Sequence, residues 1–288
     1  MYSLIDLDIP ELGYTRFISS WLYSGPDMTF LVDVGPACTA DVLLEALERE
    51  GVEKLDWILL THIHLDHAGG IGHVARRFPE ARIVCHPKAV RHLVDPSKLW
   101  EGTRKVLGNI ADAYGPMLAV DASRIRTPED MEPDAGIGII DTPGHAAHHQ
   151  SYVFEDRLFI GELFGVFHDL DGEIYLRPAT PPKFIYEQFA ASLDRVAPAA
   201  DRKVCFAHYG IYPDGKKILE LAKTQLSLWL EVAGAHVENP RVEAIAEDLK
   251  KKDPVFARID SLPQAYRDRE AYYVGNTIRG MLDYLQGG

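Results

Sequence analysis

Apolar positions along this chain change period part-way through. Up to about residue 210, short β-like runs alternate with helix-like stretches. Phe17–Tyr23 and Met28–Val34 are rich in β-branched and aromatic residues, and Gly25-Pro26-Asp27 between them reads as a hairpin turn. Ala40–Glu50 predicts a helix, with Leu43, Leu44 and Leu47 at helical spacing and Gly51 as its stop. Trp57–Leu60 is a short buried strand, and Gly70–Phe78 a helix. Arg82–Cys85, Ile137–Ile140, Ser151–Phe154, Leu158–Ile160 and Lys203–Phe206 predict further strands, and Lys183–Val196 another helix. Residues 95–116 look inserted: Ser97 is placed to cap a helix with Leu99, Val106, Ile110 and Tyr114 on one side. After Tyr212 the strand signals stop. Ile218, Ala222, Leu226, Trp229 and Ala233 trace one helical face, and Val274, Ile278, Met281 and Leu285 another. The pattern divides the chain into a mixed α/β domain, residues 1–212, and a helical segment, residues 213–288. The Lys250-Lys251-Lys252 run in that segment is expected to be a solvated helix face.

Composition narrows the partner. The 288 residues are 47% hydrophobic, enough for a sizeable core, and carry a net charge of −13. An acidic surface repels phosphate backbones, so no nucleic-acid partner is expected. No apolar run approaches the ~20 residues that span a bilayer, so no membrane association is expected. The N-terminus has early acidic residues and no basic segment followed by an apolar one. Cys38, Cys85 and Cys205 are scattered and form no C-x-x-C pair, as expected of buried free thiols. These features predict a cytoplasmic protein with a small-molecule substrate, and leave homo-oligomerisation open.

Histidine changes the picture. Of the 12 histidines, His62, His64 and His67 fall in one short stretch, and His145, His148 and His149 in another. An apolar strand, Trp57–Leu60, runs straight into Thr61-His-Ile-His-Leu-Asp-His67. Imidazole and carboxylate suit Zn²⁺ and other first-row divalent metals. Extended spacing sends His62 and His64 to one side. A turn into helix would let Asp66 and His67 face a second nearby position. One such peptide cannot close a metal site alone. Three later apolar runs end in further candidates: Asp141-Thr-Pro-Gly-His145, Gly161-Glu162 and His208-Tyr209-Gly210. The convergence of strand ends at loops is how such sites are assembled.

This ordered set resembles the metallo-β-lactamase fold superfamily, whose signature is Thr-His-x-His-x-Asp-His. Asp33-Val34-Gly35 matches its early Asp-x-Gly, Thr142-Pro143-Gly144-His145 its Thr-Pro-Gly-His, and His208 its late histidine. The resemblance covers roughly residues 14–210 and is nearest to the glyoxalase-II-like hydrolases, in which a helical segment follows the sandwich. It implies an α/β fold, an αββα four-layer sandwich with a C-terminal helical appendage. It implies His62, His64 and His145 on one metal, and Asp66, His67 and His208 on a second. Where the family has a bridging Asp in a Gly-Asp pair, this chain has Gly161-Glu162. Glu162 is expected to bridge, although its longer stem leaves open a site holding one ion.

The cofactor expectation is two divalent ions, zinc first, with iron or manganese as alternatives. Such a pair activates a shared hydroxide for attack on an ester, thioester or lactone, and Asp66 is placed as the catalytic carboxylate that takes or orients its proton. The competing readings are a mononuclear non-haem iron dioxygenase acting on a persulfide, and a non-catalytic metal-containing binding protein. Among other polar residues, His148 and His149 are expected to support the ligands or to serve the structure. His168 and Asp169 are assigned to a loop, either solvated or lining the pocket, Arg177 to a substrate carboxylate or a surface ion pair, and Tyr209 to orienting substrate or packing. His73, His86, His92 and His236 are read as structural.

Overall fold

The computed structural model describes residues 1–131 and 135–287. Its internal contacts divide into two compact units: Met1–Asp141 with His148–Phe154, and Thr142–Ala147 with Glu155–Gly288.

The first unit is organised by one sheet of six strands in sequence order: β1 (Tyr2–Asp6), β2 (Ser19–Ser24), β3 (Thr29–Val32), β4 (Trp57–Leu59), β5 (Arg82–Val84) and β6 (Ile125–Arg126). The first three strands are antiparallel, and β3 to β6 run parallel. Parallel neighbours require crossovers. Here α1 (Ala40–Arg49) links β3 to β4, and α2 (Leu65–Ala68) and α3 (Ile71–Arg77) link β4 to β5. The helices α4 (Val90–Val94), α5 (Ser97–Leu107) and α6 (Asn109–Tyr114) link β5 to β6. A hairpin of β7 (Gly138–Asp141) and β8 (Gln150–Phe154) completes the unit. The central strand β4 is buried along its whole length, which is why it reads as an uninterrupted apolar run. Helix α1 buries Leu43 and Leu47, as its spacing predicts.

The 95–116 segment departs from the expectation of one capped helix. It breaks at Gly108 into α5 and α6. Ser97 is the first helical residue and not the cap, and its amide and hydroxyl donate to Asp95 at 3.1 and 2.7 Å. The supposed common face is also divided: Val106 is 74% exposed, whereas Tyr114 is fully buried.

The second unit begins with β9 (Arg157–Gly161), then β10 (Val166–Leu170) and β11 (Glu173–Arg177). Helix α7 (Tyr186–Val196), β12 (Lys203–Phe206), β13 (Ile211–Tyr212), α8 (Gly215–Gly234), α9 (Val242–Lys252) and α10 (Gln264–Leu285) follow. Strand β12 pairs parallel with β9 and antiparallel with β13. Strands β10 and β11 form a hairpin closed by Asp171-Gly172, both at positive φ, the conformation that two-residue Asp-Gly turns adopt. His168 and Asp169, expected in a loop, both lie on β10, and the sequence signal for this hairpin is that Asp-Gly pair.

Helix α8 buries the face its spacing predicts and α10 buries Val274, Ile278 and Met281 of its own, with Leu285 half-buried at its end; Trp229 and Met281 are wholly enclosed. Asp253, at the end of α9, ties that end to α8. One of its oxygens accepts from the Trp229 indole at 2.9 Å and from Gln225 at 2.8 Å, and the other from the amides of Val255 and Phe256. Lys250 and Lys251 make exposed ion pairs with Asp260 and Asp248, as a solvated face would. Among the described residues, no helix is long and apolar enough to cross a membrane.

Candidate metal centre

In the first unit the candidate residues stand where two parallel strands end side by side. Val32 of β3 pairs with Leu59 of β4, and the next residues carry the chemistry. The carboxyl ends of parallel strands are where open α/β sheets place their sites. Asp33 sits at φ +57°, a left-handed conformation that costs an L-residue roughly 1–2 kcal/mol. The carboxylate held there has three donors. Its Oδ1 accepts from the Thr61 amide at 2.8 Å, and its Oδ2 from the Thr61 hydroxyl at 2.8 Å and from His67 Nδ1 at 3.0 Å.

These bonds fix proton positions. A carboxylate only accepts, so the His67 proton is on Nδ1 and Nε2 carries the lone pair. The Thr61 hydroxyl spends its hydrogen on Asp33, so it accepts from His62 Nδ1 at 3.1 Å. His62 therefore also presents Nε2 as its lone-pair nitrogen, 3.0 Å from His64 Nδ1. The chain turns into α2 directly after His64, which brings Asp66 and His67 onto a helical turn. His62 and His67 are 1% exposed, whereas the Asp66 side chain is 16% exposed. His149 is buried with its ring 5.3 Å from that of His62, and His148 accepts from the Ile63 amide. Both back the histidine peptide, as expected of them.

In the second unit the same device recurs. Phe206 of β12 pairs with Gly161 of β9, so Glu162 and His208 lie just past neighbouring parallel strand ends. His208 Nε2 lies 3.7 Å from Glu162 Oε1. His145 comes from the Thr142–Ala147 segment, held against α7 where Ser192 donates to the Pro143 carbonyl at 2.5 Å. Gly144 is required by space: a Cβ there would lie 2.8 Å from the Phe189 ring. His145 Nδ1 donates to the Ala179 carbonyl at 3.0 Å, which leaves Nε2 as the lone-pair nitrogen, 2.8 Å from Glu162 Oε2. A lone pair and a carboxylate oxygen repel at that distance unless a positive charge lies between them. A divalent cation satisfies that requirement, so this donor set fits one.

Two residues stand differently from their expected places. Arg177 is neither on the surface nor open to a substrate; it is 2% exposed and bound to Glu270 of α10 through Nε. Burial opposes ionisation of Glu270, but the Arg177 and Arg269 guanidiniums outweigh it and hold the carboxyl down at about 2. His168 is 4% exposed and accepts from Arg269 at 2.9 Å, with Tyr266 and Tyr209 stacked near it. Tyr209 is itself buried. Asp33, which the sequence marks only as part of a motif, is the residue whose role appears first in the structure. The available signal was an acid placed directly after a buried strand and next in space to the histidine strand.

The model of the metallo-beta-lactamase superfamily matches residues 13–208, which contain every candidate metal ligand from His62 to His208. The chain belongs to that superfamily. It is 29% identical over 242 residues to the metallo-beta-lactamase fold-containing protein ST1585 of Sulfurisphaera tokodaii, covering 79% of this chain and 86% of that protein. The crystal structure of ST1585 matches with a TM-score of 0.64. The metallo-beta-lactamase family protein TTHA1429 of Thermus thermophilus matches over 99% of this chain and 93% of its own at a TM-score of 0.67; at 21% identity it speaks for the fold alone. A hydroxyacylglutathione hydrolase of Acidiphilium cryptum is 33% identical over 138 residues, 48% of this chain and 44% of the enzyme. The αββα fold class with C-terminal helices thus holds, and with it the resemblance drawn from the motifs.

Proposed function

We propose that this protein is a metal-dependent hydrolase that cleaves an ester, thioester or lactone bond in a small molecule. On the superfamily's pattern, His62, His64 and His145 would hold one divalent ion and Asp66, His67 and His208 a second, with Glu162 proposed as the acid that serves both. Zinc is the first choice of metal for this ligand set. The observation that carries the reading is the tautomer pattern. His62, His67 and His145 each give their Nδ1 proton to a protein acceptor, so each offers Nε2 as a ligand atom. Structural histidines need no such uniform orientation.

Divalent ions in such a set supply Lewis acidity, bringing the pKa of water towards neutrality and stabilising negative charge on a carbonyl oxygen. The chain's own residues do the rest. Asp66 is the carboxylate of the set with solvent access, and it receives the proton that the attacking water gives up. Asp33, Thr61 and Ala179 hold the imidazoles in orientation, so no rearrangement is needed during reaction. Similarity to an enzyme named for hydrolysis of an acyl–glutathione bond supports the choice of an acyl substrate. The acidic net charge supports a small molecule over a polyphosphate.

The test is hydrolysis of a panel of esters, thioesters and lactones by metal-replete full-length protein. Wild type is expected to turn over at least one. Asp66→Ala should lower kcat/KM about 10²–10⁴-fold on that substrate, and His62→Ala should also lose bound metal. No turnover across the panel, or full activity in metal-depleted Asp66→Ala, overturns the proposal.

A further inference from the structure

We infer that the C-terminal helix α10 positions the ligand His145, with Thr277 as the positioning residue. The inference rests on the reading of His145 as a metal ligand. The Ala179 carbonyl that orients His145 belongs to the short segment leaving β11, and α10 grips that segment on both sides of Ala179. The Thr277 hydroxyl donates to the Pro178 carbonyl at 3.1 Å, and the Thr180 hydroxyl donates back to the Thr277 carbonyl at 3.2 Å. Thr277 thus holds the Pro178 carbonyl on one side of Ala179 and the Thr180 side chain on the other, and the Ala179 carbonyl between them accepts from His145. Ala179, Thr180 and Thr277 are at most 5% exposed.

Two further contacts fix the register. At Gly280, one turn further along α10, a Cβ would lie 1.9 Å from the Thr180 carbonyl oxygen, so the helix approaches this segment backbone to backbone. At the other end Arg177 donates from Nη1 to the Pro178 carbonyl at 3.1 Å, while its Nε is held by Glu270 of α10. The Pro178 carbonyl therefore receives one donor from β11 and one from α10. A helix that merely covered the core would need apolar contacts here. Paired hydrogen bonds around one carbonyl instead specify where that carbonyl points, and the next carbonyl along, that of Ala179, specifies which nitrogen of His145 carries its proton.

The test compares full-length wild type with Thr277→Val, Thr277→Ser and, as a packing control on the same helix, Ile278→Val. Zinc affinity is read by competition with a chromophoric chelator. The His145 tautomer is read in the metal-free protein from ¹⁵N-histidine correlation spectra, with the His145 signals assigned by their loss in His145→Gln. Thr277→Val should weaken zinc binding about 10-fold and convert the pure Nδ1–H pattern of His145 into a mixture of tautomers. Thr277→Ser should restore both, and Ile278→Val should change neither. If Thr277→Val behaves like Ile278→Val, with affinity and tautomer unchanged, the positioning role is refuted. Should Thr277→Val fail to fold, Thr180→Val removes the reciprocal bond and is held to the same outcomes. Wild type that binds no zinc strikes the ligand reading itself, and the tautomer readout then decides the positioning role alone.

Discussion

Replacing Asp33 by Asn swaps one oxygen for an NH₂ group and should invert two metal ligands at once. The new amide has two orientations. With its NH₂ in the place of Oδ1 it would face the Thr61 amide, a donor that cannot reverse. With its NH₂ in the place of Oδ2 it faces His67 Nδ1 and the Thr61 hydroxyl, and both of these can reverse. The second orientation therefore wins. One amide hydrogen goes to His67 Nδ1, which moves the His67 proton to Nε2. The other goes to the Thr61 oxygen, whose own hydrogen then turns to His62 Nδ1 and moves that proton to Nε2 as well. Both lone pairs meant for a metal become N–H groups. Loss of an outer partner costs 10–100-fold in metal affinity. With two ligands inverted by one change, the upper end applies, about 100-fold or roughly 3 kcal/mol. The fold should suffer less, because Asn tolerates the left-handed backbone of Asp33 and keeps the Thr61 amide paired. Weakening charge-assisted bonds to neutral ones should cost the metal-free protein about 1–2 kcal/mol. The assay is zinc affinity by chelator competition, beside urea unfolding in excess chelator. Zinc bound as tightly by Asp33→Asn as by wild type would refute the tautomer argument, whatever happened to stability.

The remaining predictions concern the second unit. Glu270→Gln should destabilise the protein by about 3–5 kcal/mol at neutral pH, because it leaves the buried Arg177 charge without its counter-ion. The Glu270 carboxyl is depressed to about 2 in the folded protein, so its contribution is complete above the ordinary carboxylate range and is lost as pH falls from about 4.5 towards 2. The gap between wild type and Glu270→Gln in urea unfolding should therefore close by on the order of 3 kcal/mol over that window, and a gap independent of pH would contradict the assignment. Gly144→Ala should cost roughly 1–3 kcal/mol by forcing a methyl group against Phe189. It should also lower bound metal by displacing His145, measured by thermal unfolding and metal analysis.

What the sequence disclosed was whatever one local stretch could carry. The apolar run of β4, the histidines behind it and the helical faces of α8 and α10 all lie within single windows, so periodicity alone placed them. Pairings between distant windows were not legible. Nothing near Arg177 announces that its partner is Glu270, far along the chain, so a surface ion pair was the natural expectation for an isolated arginine. His168 was misplaced for a different reason. Its strand is short, and the turn chemistry of Asp171-Gly172, not periodicity, identifies the hairpin. Asp33 was visible as a motif, but its hydrogen bonds depend on β3 and β4 being parallel neighbours, which one sequence does not state. The inserted 95–116 segment misled because its apolar spacing continues across Gly108, where the helix stops.

Each unit arrives at its ligand set by the same topological route. Strands β3 and β4 are parallel neighbours joined through α1, and the residues just past their ends are Asp33 and Thr61 with the histidines that follow. Strands β9 and β12 are parallel neighbours, and the residues just past their ends are Glu162 and, one further on, His208. Parallel pairing sets both strand ends at one level, so polar groups far apart in sequence become adjacent without a long loop to order. The ordering entropy falls on crossover helices that bury their own apolar faces. This explains why the candidate ligands lie at strand ends while their supports come from elsewhere in the same unit: Asp33 and Thr61 for His62 and His67, and Ala179 for His145. It also explains Glu162. An acid one methylene longer than Asp keeps its place just past Gly161 and still brings an oxygen within 2.8 Å of His145, because the strand end fixes where the stem begins and the His145 ring fixes where it must finish.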